Sequence, residues 1–380
     1  MTRKPITIFM DDESRQLRAR RFNRMLRLAL GALTLLAIAL TTWYFYRVWA
    51  YEEQTAVKRL ETFAEVRARA IRRFFVAHQQ ETRLWATQKS FTQVAGRFID
   101  IWRKMTPEER ETVRFRHVPE KKRKTPAKRR VRMTDAIADY EELHALNYGY
   151  LRNFTIHHGY FDIFFFTPEG DLAFTVAKED DFGLNIHKGP YKDSNLAEVF
   201  RQAMQIYQPG WVVFADFAPY APGNGAPAAF YAAPMFGDNG MRIGVYAIQV
   251  SVDKLEEVMR FSTGLGKTGQ TYAVGPDFLM RNNSRLTKEP TLLRRKVETD
   301  FVRKALKGER VITKSTNDKG QATMVVAIPM DFEDLRWAVV TEMSLSELRE
   351  PYRPYLWFYV ATVLFILFVA GLQYWLLRRT

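Results

Sequence analysis

Two uncharged apolar runs lie near the two ends of the 380-residue chain, Leu28 to Tyr46 and Leu356 to Leu377, with about 300 residues of polar, globular-looking sequence between them. A helix needs about 20 apolar residues to cross the hydrocarbon core of a bilayer, and both runs qualify. Their flanks predict an orientation. Residues 15–27 carry six Arg and no acid, whereas the stretch after the first run mixes Arg47, Lys58 and Arg59 with Glu52, Glu53 and Glu61. An excess of Lys and Arg marks the cytoplasmic side, so the N-terminus is predicted to be cytoplasmic. Arg378 and Arg379 mark the same side after the second run, leaving residues 47–355 outside, in the periplasm of a Gram-negative cell. Trp43, Tyr44, Tyr46 and Trp49, then Tyr355, Trp357, Tyr374 and Trp375, occupy interface positions, where aromatic belts form. The first run is followed by RVWAYEEQ rather than a small-x-small cleavage site, so it reads as an anchor and not as a removed signal peptide. The expected localisation is the bacterial inner membrane, two-pass, with both termini cytoplasmic.

The formal net charge of +15 would suggest nucleic acid in a soluble chain. Here topology accounts for part of it, through the collar before the first span and a basic loop at 121–132 that holds eight Lys or Arg and no acid. That loop reads either as a solvated insertion or as a contact for anionic lipid, a surface polymer or an acidic partner. Nucleic-acid binding is not expected, and no nucleic-acid motif is visible. Cysteine is absent, which excludes disulfides, thiolate nucleophiles and cysteine metal sites.

Residues 51–104 contain no Pro and one Gly, and apolar residues recur at three- and four-residue spacing from Val57 through Phe74 and from Phe91 to Trp102. That period predicts one long helix continuing the first span, ended or broken near Pro107. Residues 107–134 read as a polar connection and 135–157 as a further helix. Strand patterns follow. Gly159 to Phe166 and Leu172 to Ala177 flank the turn Pro168-Glu169-Gly170-Asp171, Asn195 to Tyr207 is a short amphipathic helix, and Trp211 to Ala215, Ala228 to Met235 and Arg242 to Val250 are three more strands. Five strands with helices on one face make a PAS-like module. A second, smaller module repeats the pattern: strands at Gln270 to Val274, Leu279 to Arg281, Val311 to Ser315, Ala322 to Pro329 and Trp337 to Glu342, with a helix at Thr299 to Leu306. Ser344 and Glu347 form a capping-box pattern before the second span.

Three stretches carry a family likeness: 159–176 (GYFDIFFFTPEGDLAFTV), 182–193 (FGLNIHKGPYKD) and 264–285 (GLGKTGQTYAVGPDFLMRNNSR), joined by 214–235. Over roughly residues 50–345 the chain resembles the double-Cache sensor domains of bacterial chemoreceptors, receptor cyclases and receptor kinases. The fold class is therefore expected to be α/β (α+β), with two tandem PAS-like Cache modules on a long N-terminal helix, flanked by two transmembrane helices. The expected boundaries are a basic tail 1–27, a first span 28–46, the long helix 47–106, a membrane-distal module 107–253, a membrane-proximal module 254–343, a connecting helix 344–355, a second span 356–377 and a short end 378–380. The resemblance implies a ligand pocket in the distal module, transfer through the long helix and the second span, and a dimer as the working unit. No HAMP, methyl-accepting, kinase or cyclase region follows Thr380 in this sequence, so output is expected from a separate membrane or cytoplasmic partner, unless the chain is a truncated receptor. The aromatic–Arg–Trp–Tyr arrangement of amino-acid-binding members is not evident.

Catalysis is not expected. GLGKTG at 264–269 lacks the glycine that a phosphate loop needs four residues before its Gly-Lys-Thr core, and reads as a tight turn. His157, His158 and Asp162 read as surface rather than as a metal site, and Glu179-Asp180-Asp181 lacks the spaced oxygens of a calcium loop. No cofactor is implied. PAS-like pockets lie between the sheet and the loops and helix covering it, and are largely apolar with a few oriented polar groups. The candidate ligand-binding residues are thus Tyr191, Lys192 and Asp193 in the covering loop, Asp216, Phe217 and Tyr220 across from them, and Tyr231 and Tyr246 from the sheet, whereas Tyr272, Asp277 and Arg281 are expected to hold a hairpin together. Two functions follow. One is a membrane-anchored extracytoplasmic sensor of a small molecule. The other is a non-sensing accessory or scaffold subunit that uses the same fold as a docking surface.

Overall fold

The N-terminal apolar run and the amphipathic stretch after it form one helix, α1 (Asp12–Thr87), in a computed structural model that describes residues 12–123, 132–260 and 264–379. The basic stretch 124–131 lies outside the described residues. The helix expected over 51–104 is interrupted at Gln88, which takes an extended backbone (φ −76°, ψ 117°) and caps α2 (Lys89–Lys104) by accepting a hydrogen bond from Phe91 N at 2.8 Å. Gln is outside the usual capping set of Ser, Thr, Asp and Asn, and no Pro or Gly marks the break. The segment expected to be a polar connection begins with a third helix, α3 (Pro107–His117). Thr106 and Glu109 form a reciprocal capping box there, with Pro in the first turn. Thr134 caps α4 (Asp135–His158), which Gly159 ends in the left-handed region at φ +71°.

The chain divides into two units. The larger, residues 60–315 with 325–342, contains two antiparallel sheets. The first consists of β1 (Tyr160–Phe166), β2 (Leu172–Thr175), β3 (Val213–Tyr220), β4 (Ala226–Phe236) and β5 (Arg242–Val250), in the order β2-β1-β5-β4-β3. Phe164, Phe166, Ala228, Phe230, Ala232, Val245 and Ala247 face α5 (Asn195–Met204), which buries Leu196, Val199 and Phe200 on them. The alternate residues face the other way. Phe91 of α2 lies 5.0 Å from Tyr246, Phe98 lies 4.6 Å from Phe174, and Phe75 of α1 lies 5.2 Å from Phe214. Helices thus cover both faces, not one. The physical reason is visible in β4 and β5, which are apolar at nearly every position, as strands buried on both sides are.

After α6 (Val252–Arg260), the second sheet runs β6-β9-β8-β7, with β6 (Gln270–Val274), β7 (Val311–Thr316), β8 (Ala322–Phe332) and β9 (Leu335–Ser344). Helix α7 (Asp300–Leu306) packs Phe301, Val302 and Ala305 against Tyr272, Val325, Ala327 and Val340. The expected strand at Leu279 to Arg281 is reduced to isolated bridges, Val274 to Met280 and Leu279 to Lys296.

The smaller unit, residues 1–59, 316–324 and 343–380, holds α8 (Leu345–Leu348), capped by Ser344, and α9 (Arg353–Arg379). The first half of α1 and α9 run antiparallel: Arg27 donates to the Leu377 carbonyl at 2.8 Å, Phe45 stacks on Tyr359 at 4.6 Å, and the Tyr352 hydroxyl donates to the Glu52 carbonyl at 3.0 Å. Both helices are long and apolar enough to cross a membrane, and their apolar windows are unburied.

Candidate functional site

The loop from β2 to α5 carries an unusual load of buried charge. Lys178, Glu179, Asp180 and Asp181 are all less than 10 % exposed. Arg114, fully buried on α3, reaches this loop. Its Nη2 donates to Asp180 Oδ1 at 2.7 Å and to the Asp180 carbonyl at 3.0 Å. Gly183, at φ +75°, lets the two approach, because a Cβ there would stand 3.1 Å from Arg114 Cβ. The Tyr191 hydroxyl donates to Asp180 Oδ2 at 2.6 Å, and the Tyr220 hydroxyl donates to Asp181 Oδ2. Burial pushes the Asp181 carboxyl up to about 7, against the pull of the Tyr220 hydrogen bond. The same cause brings the Lys178 amine down to about 7. Asp162, at the irregular start of β1, accepts from the amides of Ile163, Val176 and Ala177 and from the Thr175 hydroxyl, yet burial still raises it to about 6.

Four buried polar ends of this set are left over among the described residues. Asp181 Oδ1, Arg114 Nε and Lys178 Nζ have no hydrogen-bond partner there, and Arg114 Nη1 has only Glu111 at 3.8 Å. Since buried polar groups are normally satisfied, these ends have capacity for a polar molecule. Among the described residues, no three His, Cys, Asp or Glu side chains come together in a way that holds a metal ion.

The eight candidate residues fall into four places. Tyr191 and Tyr220 converge on the neighbouring carboxylates Asp180 and Asp181. Lys192 and Asp193 are exposed, and the Lys192 carbonyl accepts from Arg201. Asp216 and Phe217 sit against the second sheet: Asp216 Oδ2 accepts from Arg281 Nε at 3.1 Å, Arg281 Nη2 at 2.9 Å and Trp337 Nε1 at 3.2 Å, and the Phe217 ring lies 6.4 Å from that of Trp337. Tyr231 and Tyr246 are on the sheet face away from α5. The Tyr231 hydroxyl donates to the Phe75 carbonyl at 3.0 Å, and the Tyr246 hydroxyl has no partner among the described residues. Arg114 and Lys178 were not singled out in advance, Asp180 and Asp181 were set aside with the acidic triplet, and Asp162, expected at the surface, is 1 % exposed because it caps the amides of its own sheet edge. The acidic triplet after β2 was visible, but its burial was not, because nothing in the local sequence names Arg114 as its counter-charge from a helix some 65 residues earlier.

Arg281 joins more than its own hairpin. It is 3 % exposed, pairs with Asp277 at 2.8 Å as expected, and adds the bond to Asp216 in β3. The Asp216 carbonyl accepts in turn from Asn195 Nδ2 at the start of α5. A short polar chain therefore runs from α5 through β3 to the second sheet.

No family model and no curated protein matches the chain. Among solved structures it is similar to the sensory domain of the Campylobacter jejuni chemoreceptor Tlp3, with 12 % identity and a TM-score of 0.48 over 79 % of this chain and 98 % of that one. It is also similar to the ligand-binding domain of the Pseudomonas fluorescens chemoreceptor CtaA in complex with L-serine, with 12 % identity and a TM-score of 0.42 over 77 % and 98 %. A third is the ligand-binding domain of the Pseudomonas aeruginosa amino-acid chemoreceptor PctC in complex with GABA, with 11 % identity and a TM-score of 0.43 over 76 % and 99 %. The first is described as a sensory domain and the other two as ligand-binding domains, all of chemoreceptors.

Proposed function

We propose that the chain is a membrane-anchored extracytoplasmic sensor. A small molecule binds the first sheet module at the Arg114, Asp180, Asp181, Tyr191 and Tyr220 cluster, and the change passes through α1 and α9 to a separate partner protein, without turnover of the ligand. The observation that carries this is the pair of buried, opposite, incompletely satisfied charges, Arg114 and Asp181. A ligand bearing both an anionic and a cationic group complements them, so amino acids and related zwitterions are the first class to test. A ligand shifts such a protein only through different affinities for its two conformations. Thermal-shift screening of the full-length protein in detergent against amino acids, organic acids and amines is expected to yield a stabilising ligand whose effect is lost in Asp181→Asn. A flat response across the whole set sinks the proposal.

The proposed topology places residues 47–355 outside the cytoplasm. The chain has no cysteine, so single cysteines introduced at Lys192 and at Arg18 allow a direct test. A membrane-impermeant maleimide applied to spheroplasts should label the first and not the second.

A second function has one observation in its favour. The α5 side of the first sheet is filled by the protein's own Phe164, Phe166, Phe200, Tyr220 and Phe230, each no more than 3 % exposed. Such filling suits an accessory subunit that uses this fold for docking. Purification from native membranes with its associated proteins distinguishes the two. A stoichiometric non-signalling complex, lost on reversing the charge of Lys121, Lys122 and Arg123, favours docking.

A further inference from the structure

On the side of β2 that meets α3 and α4, the Lys178 side chain ends where nothing among the described residues accepts its protons. Lys178 is 6 % exposed, and Nζ lies 4.4 Å from the centre of the Phe174 ring and 4.0 Å from that of Phe182, with no hydrogen bond to a described residue. Its backbone is in the left-handed region at φ +49°, uncommon for a residue with a side chain, so the loop holds it there. Every neighbouring element contributes titratable groups. From α3 come Arg114, paired with Asp180, and His117; from α4 Glu141 and His144, from β1 Asp162, from β3 Tyr220, and from the loop itself Asp181 with Glu179 and Asp180. Lys122 also reaches the loop, donating to the Ala177 carbonyl at 2.9 Å. His117 Nε2 meets Glu141 at 3.1 Å, and the rings of His117 and His144 are 4.3 Å apart. Asp181, 2 % exposed, engages Tyr220 with Oδ2 and, among the described residues, nothing with Oδ1. A buried amine and a buried carboxyl thus sit three residues apart in one loop, not bonded to each other.

We propose that this loop is a proton-responsive element: Lys178 and Asp181 gain and lose protons within a buried cluster, and the charge of that cluster decides how residues 176–194 are seated. Burial brings both groups to about 7 from opposite directions, so both change state in the same range. His144, lowered to about 3 by burial and by Lys178, stays neutral there, and His117 is lowered by the same two causes. The element goes beyond the ligand-binding proposal and operates without a ligand.

The signs of the two contributions differ. Lys178, depressed on folding, gives stability that is present at high pH and lost as pH falls through about 7. Asp181, raised on folding, gives stability that is present at low pH and lost as pH rises through about 7. Thermal unfolding of the full-length protein in detergent at a series of pH values should therefore show Lys178→Met with its greatest gain over wild type at and below neutrality, fading toward alkaline pH. Asp181→Asn should show its gain at and above neutrality, fading toward acid. If Lys178→Met fails to fold, the acid limb of Asp181→Asn carries the test. Hydrogen exchange of peptides from 176–194, normalised to intrinsic rates, should change several-fold across neutrality in wild type and not in a folded variant. Difference profiles that are flat with pH, or wild-type exchange that does not move, overturn the proposal.

Discussion

Replacing Asp216 by Ala removes the anion that neutralises Arg281, and the size of the loss follows from what remains. Three donors converge on Asp216 Oδ2: Arg281 Nε, Arg281 Nη2 and Trp337 Nε1. After the substitution the guanidinium, 3 % exposed, keeps Asp277 and the Leu279 carbonyl, both reached through Nη1. Asp277 has a side chain 46 % exposed, so its attraction is screened by water. Breaking a buried pair by removing one partner costs about 3–5 kcal/mol. The Asp216 side chain is itself 20 % exposed, which puts the expectation at the lower end, about 3 kcal/mol. For a body of this size each kcal/mol lowers Tm by roughly 2–4 °C, so a fall of about 6–12 °C is expected. Thermal unfolding of the full-length protein in detergent, followed by tryptophan fluorescence, measures it. The Arg281→Met variant and the Asp216→Ala/Arg281→Met double variant complete a cycle. The double variant should lose less than the sum of the singles by about 1–3 kcal/mol, as groups in direct contact do. A single-variant loss below about 0.5 kcal/mol, the range of ordinary surface changes, or strict additivity would refute the idea that this pair fastens β3 to the second sheet.

Further outcomes follow from the same geometry. Gly275→Ala would set a Cβ into the Arg281 guanidinium, so it should lower Tm in wild type and much less in an Arg281→Met background. Arg114→Met removes the buried cation paired with the Asp180 carboxylate and should cost about 3 kcal/mol, read as a lowered unfolding midpoint. Tyr231→Phe removes only the bond to the Phe75 carbonyl, so its expected cost is about 1 kcal/mol. Its effect on any ligand found by thermal shift should be nil, whereas Tyr191→Phe should weaken that ligand.

Much of the architecture was legible from the residues. The aromatic strand at 160–166, the turn after it and the hairpins of the second sheet all carry their alternation or turn residues openly. The start of α3 was missed, since 107–134 was read as a polar connection, although Thr106, Pro107 and Glu109 form a capping-box pattern there. The break at Gln88 was not legible, because it uses a side chain with no special capping preference within an uninterrupted apolar period. Nor were the facings of Tyr231 and Tyr246. Alternation identifies a buried face only when the other face is polar, and β4 and β5 are apolar on both. The polar cluster was hidden for a different reason. Arg114 to Asp180 and Asp216 to Arg281 join residues far apart in the chain, and a charge read alone in sequence looks like a solvated one.

The order of strands in the first sheet also bears on how the chain acquires its structure. β1, the first strand made, lies between β2 and β5, with Tyr160 opposite Val250, and β5 is also the neighbour of β4. During synthesis the sheet can hold only two separate hairpins, β1–β2 and β3–β4, until β5 arrives to join them. Each waits with an apolar edge unpaired, the condition under which strands seek other partners. Non-local closure of this kind is slow. The second sheet repeats it, since β6 has no neighbour in the sheet until β9 is complete. Substitutions in β5 and β9 should therefore reduce the yield of folded protein more than substitutions of equal stability cost in β2 or β7.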